Sequence, residues 1–137
     1  MELNINSPSY FTKQYGVIDE IYSMCRGISK HVENKQYSDL VDIVGITPII
    51  APKDIIEQGL FKQEKKCDIK YGFASVSLWI DYDEYLKADI KIMIVKNILA
   101  SIKTISRKAK IDYKQFCEDI FQYCKLINLP IESNLKV

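Results

Sequence analysis

Few side chains in this sequence could do chemistry, and none of them belongs to a recognisable catalytic set. His31 is the only histidine, so any triad that uses a histidine base would depend on it. The chain has no Gly-x-Ser-x-Gly nucleophile elbow and no glycine-rich phosphate loop. A lone histidine near a predicted helix end is typical of a capping or solvated residue. We therefore predict that the protein is not an enzyme.

Two short segments match part of a metal-binding motif. Residues 31–33 (His-Val-Glu) fit the start of a zinc deaminase signature, but the Pro-Cys-x-x-Cys that would supply the other ligands is missing. Residues 81–83 (Asp-Tyr-Asp) resemble the opening of a calcium loop. In that loop Leu86 stands where glycine is needed, and Ile92 stands where a bidentate glutamate is needed. The sequence therefore predicts no metal site and no cofactor.

An acidic aromatic cluster at residues 81–89 is the strongest candidate for a binding surface. It contains Asp81, Tyr82, Asp83, Glu84, Tyr85 and Asp89. Asp81 and Glu84 have the spacing of a capping box, so two acids would be enough to start a helix here. We predict that Tyr82, Asp83, Glu84 and Asp89 contribute to a surface that meets a basic protein partner. The alternative is that the cluster serves only capping and the helix dipole.

A basic run and the overall charge say which partners are not expected. The run, Lys103, Arg107, Lys108 and Lys110, suits the negative C-terminal end of a helix. A nucleic-acid site would need interleaved exposed aromatics or further basic faces. The formal net charge is +1, from 19 basic and 18 acidic residues, which gives no field toward nucleic acid or anionic lipid. We therefore predict neither a nucleic-acid nor a membrane partner.

Composition is that of one ordinary domain over residues 1–137. Apolar residues make up 47% of the chain and charged residues 27%, which is normal for a globular protein. The most apolar stretch, residues 90–105, is interrupted by three lysines, so it is not expected to span a bilayer. No secretory signal is recognisable at the start. The four cysteines lack Cys-x-x-Cys spacing, which predicts free thiols in a cytoplasmic protein.

The elements that position these residues follow from apolar periodicity and turn signals. Capping boxes at Asp81–Glu84 and Asp112–Gln115 mark the starts of two C-terminal helices. The first half of the chain is predicted to form a strand at 1–5, a helix at 8–32, a strand at 40–50 and a helical turn at 52–56. Pro48 places the strand at 40–50 at a sheet edge or a bend. The second half is predicted to form a hairpin of 60–61 with 67–80 that turns at 64–66, followed by helices at 82–107 and 113–125. This order predicts an α+β fold, with a mostly antiparallel sheet and one N-terminal and two C-terminal helices packed on it.

The succession of patterns across about residues 67–121 resembles a known class of protein. Its parts are residues 77–85 (Ser-Leu-Trp-Ile-Asp-Tyr-Asp-Glu-Tyr), 96–103 (Lys-Asn-Ile-Leu-Ala-Ser-Ile-Lys), 110–116 (Lys-Ile-Asp-Tyr-Lys-Gln-Phe) and 119–120 (Asp-Ile). Together they resemble one of the small α+β immunity-protein families of bacterial polymorphic toxin systems, which include contact-dependent inhibition. The resemblance implies a cytoplasmic protein without catalytic residues that binds a cognate toxin domain and blocks it.

The resulting expectation is an immunity protein that neutralises a cognate toxin domain by stoichiometric, non-covalent binding. Two alternatives from other classes stay open. One is a small metal-dependent enzyme built on carboxylates such as Asp81, Asp83 and Glu84, and the other is a bacterial adaptor or regulatory subunit. A toxin gene immediately upstream would favour the first interpretation. A deep cleft that converges on unpaired carboxylates would favour the enzyme.

Overall fold

The chain folds as a four-stranded sheet with helices packed against it, and it belongs to the predicted α+β class. The computed structural model describes residues 1–6, 18–58, 65–68, 71–85 and 89–131. In chain order the elements are β1 (Glu2–Ile5), α1 (Ile18–Val32), β2 (Ile43–Ala51), α2 (Lys53–Glu57), β3 (Lys65–Asp68), β4 (Phe73–Asp81), α3 (Tyr82–Tyr85), α4 (Ile90–Ala109) and α5 (Tyr113–Leu126). Within this described part, no helix has the length and apolar character needed to cross a membrane.

The sheet has a strand arrangement that contradicts the predicted mostly antiparallel one. Its order is β1-β2-β4-β3. β1 pairs with β2 and β2 pairs with β4 in parallel, and only β3 joins β4 in the antiparallel direction. Parallel neighbours need a long crossover between them, and α1 lies in the crossover from β1 to β2. The alternation of side chains predicts which face of a strand is buried, but it carries no information on the direction of the neighbouring strand.

Pro48 lies inside an inner strand, so of the two predicted alternatives, a sheet edge or a bend, the sheet edge is wrong. β2 is flanked by β1 and β4, but β1 is short and its last register pair joins Ile5 to Ile46. The backbone N–H of Asn6 donates to the carbonyl of Ile46 at 2.8 Å, so even-numbered residues of β2 face β1. The next bond of the parallel ladder would run from the N–H of residue 48 to the carbonyl of Asn6. Proline cannot make this bond, and the Asn6 carbonyl instead accepts from the hydroxyl of Tyr22 at 2.6 Å, which is why an inner strand tolerates this proline.

The turn before β4 also differs from its prediction. The hairpin was expected to turn at residues 64–66, but Lys65–Asp68 forms β3 and pairs with β4. The chain reverses between these two strands, where Gly72 has a φ of 67°. That left-handed conformation favours glycine because it has no Cβ. The predicted strand at 60–61 and the predicted helix residues 8–17 lie outside the described residues.

The core lies between one face of the sheet and the helices. The even-numbered apolar residues of β4, which the alternation along the sequence places on one face, are buried: Ala74, Val76, Leu78 and Ile80 are each at most 2% exposed. α1 packs against β1, α4 packs against β4 and β3, and the two helices contact each other. α5 packs against both α4 and α1. The buried residues of α4 are Met93, Ile94, Val95, Ile98, Leu99, Ile102, Ile105 and Ala109.

The helix predicted over residues 82–107 is in fact two helices. Asp81 accepts a hydrogen bond from the backbone N–H of Asp83 at 3.0 Å, and it starts only the single turn α3. The long helix α4 begins later, and Asp89 is its N-cap. The Asp89 carboxylate accepts from the backbone N–H groups two and three residues further on, at 2.8 and 3.3 Å. The predicted Asp81–Glu84 box therefore does not start the long helix.

Of the capping box predicted at Asp112–Gln115, only the hydrogen bond accepted by the Asp112 side chain is present at the start of α5. Asp112 is the N-cap, and it accepts from the backbone N–H of Gln115 at 3.1 Å. The other half is replaced by contacts with more distant residues. The backbone N–H of Asp112 donates to the carbonyl of Tyr37 at 2.7 Å, and the Gln115 side chain donates to Asp119 at 3.1 Å. The cap thus ties α5 to the segment that follows α1.

A glycine in α1 marks the closest approach of α5. A Cβ added to Gly27 would overlap the hydroxyl oxygen of Tyr123. The Tyr123 ring also packs against His31, with ring centroids 5.4 Å apart. Glycine is unfavourable in a helix interior by about 1 kcal/mol relative to alanine. Its presence at this position is explained by the space that Tyr123 needs.

Candidate functional site

The four predicted contact residues lie around the corner between α3 and α4, but their side chains differ in solvent exposure and in the contacts they already make. Asp83 and Glu84 are exposed in α3. Asp89 is also exposed, although its carboxylate caps α4. Tyr82 is half-buried and packs against the core cluster. We refer to these four residues, together with Asp81, as the acidic corner.

A groove of about 330 Å³ lies beside the acidic corner. Glu84 and Asp89 line it, together with Ile92, Met93, Lys96 and Asn97 of α4. Met93 is 8% exposed and gives the groove an apolar floor. The side chain of Asn97 donates to the carbonyl of Trp79 at 3.1 Å, which fixes α4 against the end of β4. The structure therefore brings two of the predicted residues together at a groove with anchored walls.

Sequence reasoning did not identify the part of this groove that α4 contributes. Lys96 and Asn97 interrupt the apolar stripe of the predicted helix, and a polar pair at such a position was the available signal. Whether this polar pair lines a groove depends on where the helix lies against β4, and the apolar periodicity does not specify that position.

The charges of the acidic corner are not neutralised from within. The corner has four carboxylates, of which Glu84 and Asp89 line the groove, and Lys96 contributes one ammonium group to the same groove. In the part of the chain that the structure describes, none of these five groups forms an ion pair. The corner therefore carries net negative charge that is available to a partner.

The metal-dependent enzyme of the alternative interpretation gains no support from this arrangement. Over the described ranges, no group of three or more His, Cys, Asp or Glu residues is placed to hold a metal ion. The Asp81 carboxylate is engaged by the turn that starts α3, and Asp89 is engaged as a helix cap. The groove is also lined by Lys96, so it is not a cleft that converges on unpaired carboxylates.

A second polar group is buried between α5 and the segment after α1. The hydroxyl of Tyr37 donates to Asp119 at 2.5 Å, and the Gln115 amide and the Lys35 ammonium lie 3.1 and 3.3 Å from the other carboxylate oxygen. Burial alone would raise the pKa of Asp119, but these hydrogen bonds and the charge of Lys35 outweigh it and lower the pKa. Burial and then Asp119 raise the pKa of Tyr37. Asp119 is therefore ionised and Tyr37 neutral near pH 7.

Among the described side chains, no hydrogen bond joins a cysteine to His31, so these residues do not form a nucleophile and base. Cys25, Cys117 and Cys124 are free thiols, as predicted, while the side chain of Cys67 lies outside the described part. Burial raises the pKa of Cys25 to about 12, which keeps it a protonated, unreactive thiol. His31 packs on a tyrosine ring, and its Nε2 atom is buried without a hydrogen-bond partner among the described residues. The buried thiols and His31 therefore have a packing role in the interior of the protein.

The fold and the site together define a small α+β protein whose candidate site is a charged surface corner beside an apolar groove, a surface suited to protein recognition. The family model for Immunity protein 44 (Imm44) matches residues 1–125, and the chain belongs to this family. The predicted resemblance to immunity proteins of toxin systems is thereby confirmed, well beyond residues 67–121. No curated protein and no solved structure matches the chain.

Membership in the family indicates the general role of the chain. It indicates a toxin-neutralising immunity function, and it makes a toxin protein the general partner. Immunity proteins are generally not enzymes, which agrees with the absence of catalytic motifs from the sequence.

Proposed function

We propose that the chain binds one cognate toxin domain in a one-to-one, non-covalent complex and thereby neutralises it. The proposal places this complex in the cytoplasm of the bacterium that makes both proteins, in a polymorphic toxin system such as contact-dependent inhibition. The observation that carries it is the acidic corner, where carboxylates that form no ion pair with any described residue lie beside a groove with an apolar floor. Family membership supports the identity of the partner, and the corner supports the place of contact.

The chemistry of the acidic corner suits a basic side chain of the toxin. A lysine or arginine could lay its aliphatic stem on Ile92 and Met93 while its charge meets Glu84 and Asp89. Asp83, exposed at the rim, would mainly steer association. Tyr82 is half-buried already, so a partner would complete the burial of an aromatic anchor.

The stoichiometric mechanism is tested with the cognate toxin domain, which is sought first in the gene immediately upstream. A fixed amount of toxin is titrated with the protein, and the remaining toxin activity is measured. We expect activity to fall linearly and to reach background at equimolar protein, with a one-to-one complex on size-exclusion chromatography. Loss of toxin activity that continues with time at substoichiometric protein would indicate enzymatic inactivation instead. Absence of a complex would contradict the proposal.

The place of contact is tested by charge reversal with a matched control. Asp83→Lys with Glu84→Lys reverses two charges at the corner, while Glu57→Lys with Glu118→Lys makes the same change at exposed acids of α2 and α5. We expect the corner variant to associate at least about tenfold more slowly at low salt, and this loss to shrink at high salt. The control should retain most of the association rate. An equal loss of association rate in both variants would mean that the corner acts only through the net charge of the protein, which would contradict the proposed place of contact.

A further inference from the structure

The side chain of Asn97 adds an oriented neutral acceptor to the groove beside the acidic corner. Its amide nitrogen donates to the carbonyl of Trp79 at 3.1 Å. Because a carbonyl oxygen only accepts, this contact determines which end of the amide is the nitrogen. The amide oxygen accepts no hydrogen bond from any described residue. Asn97 lines the groove and is partly exposed, so this oxygen is available to a donor that enters there.

Two carboxylates on the same groove also have acceptor capacity to spare. One oxygen of Asp89 accepts both hydrogen bonds of the helix cap, at 2.8 and 3.3 Å. Its other oxygen and the whole carboxylate of Glu84 accept none from the residues that the structure describes. Lys96 lines the groove as well, but it forms no ion pair with either acid. The cation that the chain itself supplies therefore leaves these acceptors unused.

The floor of the groove is apolar, and this property distinguishes between the two basic side chains that a partner can offer. Ile92 and Met93 line the groove, and Met93 is 8% exposed. A guanidinium is planar and weakly hydrated, so its face can pack on an apolar surface while its N–H groups point outward in one plane. An ammonium is a compact, strongly hydrated charge, and burying it on such a floor removes water that it needs.

We propose that the groove is selective for arginine over lysine, and that an arginine side chain of the toxin enters it. The guanidinium face would lie on Ile92 and Met93. Its edge would donate to Glu84, to the free oxygen of Asp89 and to the amide oxygen of Asn97. The inference rests on the proposed function for the identity of the partner, whereas the selectivity of the groove is a property of this chain alone.

The selectivity is tested on the full chain, labelled with ¹⁵N, with the acetylated and amidated peptide Gly-Arg-Gly as probe. The peptide is added until the shifts level off, and the resonances of the Met93 and Lys96 backbone amides and of the Asn97 side-chain amide are followed. We expect saturable shifts at all three. Gly-Lys-Gly keeps the charge without the planar fork, and Gly-citrulline-Gly keeps the planar shape without the charge. Each should bind at least about threefold more weakly.

A pair of variants separates the groove from general charge attraction. Glu84→Gln keeps the size of the side chain and removes its charge, so it should weaken binding of the arginine peptide about two- to fivefold. Glu118→Gln makes the same change at an exposed residue of α5 and should leave binding unchanged. Dispersed amide spectra would show that both variants are folded. The Asn97 side-chain resonance is read in the unaltered protein, so its acceptor role is tested without a substitution.

The partner is tested by adding unlabelled cognate toxin to the same labelled protein. The Asn97 side-chain resonance should move in the direction that the arginine peptide produces. A toxin complex that leaves this resonance in place would overturn the assignment of the groove to a toxin arginine.

Four results with the peptides would overturn the selectivity. They are no saturable shift at Asn97, equal binding of the lysine peptide, equal binding of the citrulline peptide, and equal loss in the two variants. Each of these can occur while the toxin titration still reaches background at equimolar protein, so failure of this inference is distinct from failure of the proposed function.

Discussion

The buried carboxylate of Asp119 gives the most quantitative prediction for stability. Asp119→Ala removes the acceptor of three donors, and these donors differ in their access to water. Tyr37 is 4% exposed, so its hydroxyl would stay buried without a partner, at a cost of about 1–3 kcal/mol. The Lys35 side chain is 39% exposed and regains water, so its ion pair contributes only about 0.5 kcal/mol.

We therefore expect Asp119→Ala to lower the free energy of unfolding by about 3 kcal/mol, most of it through Tyr37. Tyr37→Phe leaves Asp119 with its other donors and should cost about 1.5 kcal/mol, while Gln115→Ala, at an exposed residue, should cost less than about 1 kcal/mol. Urea denaturation of the Tyr37→Phe and Asp119→Ala variants and their double variant measures the coupling. A value of about 1 kcal/mol or more is expected. Simple additivity, or an Asp119→Ala variant as stable as the wild type, would refute the reasoning.

The same carboxylate predicts a dependence on pH. Its folded-state pKa lies below the ordinary value of 3.8, so its stabilisation is fully present above that value and is lost as the pH falls through the folded pKa. Asp119→Asn has no such titration. The stability gap between the wild type and Asp119→Asn should therefore narrow between neutral pH and about pH 3. A gap that stays constant in urea melts over this interval would contradict the assigned pKa direction.

Two further predictions concern the helices. Gly27→Ala should destabilise the protein by about 1–3 kcal/mol through overlap with Tyr123, but with Tyr123→Ala it should stabilise by up to about 1 kcal/mol, because alanine is the better helix former. Thermal melts in both backgrounds check this, and the same sign in both would contradict the packing argument. Asp89→Ala should cost about 1 kcal/mol and Asp89→Asn only a few tenths, because asparagine also caps helices. Equal losses in chemical denaturation would mean that the Asp89 charge matters and the cap does not.

Features with a strong local signal were predictable from the sequence. The alternating apolar residues of β4 and the Asp112 cap of α5 are examples, because each depends on residues only a few positions apart. The break before α4 was missed because Asp81 and Glu84 formed the more complete local motif. Asp89, which caps the long helix, was taken as a spare acid on its surface.

Features that depend on distant partners were not predictable in the same way. The direction of β2 relative to β1 and β4 is decided by how the crossovers pack, and no residue of β2 encodes it locally. The Tyr37–Asp119 hydrogen bond joins residues 82 positions apart. For the candidate site, Glu84 and Asp89 were named from composition, but their groove with Lys96 and Asn97 exists only once α4 has docked.

The parallel pairings also affect how soon after its synthesis this protein can finish folding. Glu2 pairs with Ile43 and Ile43 pairs with Phe73, so sheet assembly must close loops of about forty and thirty residues. During synthesis, β1 and α1 leave the ribosome long before the strands that cover them, and the sheet cannot close until β4 has emerged. High contact order of this kind slows folding. Under the proposed function, we expect the delay between translation and protection to be governed by folding time, however tightly the finished protein binds its toxin.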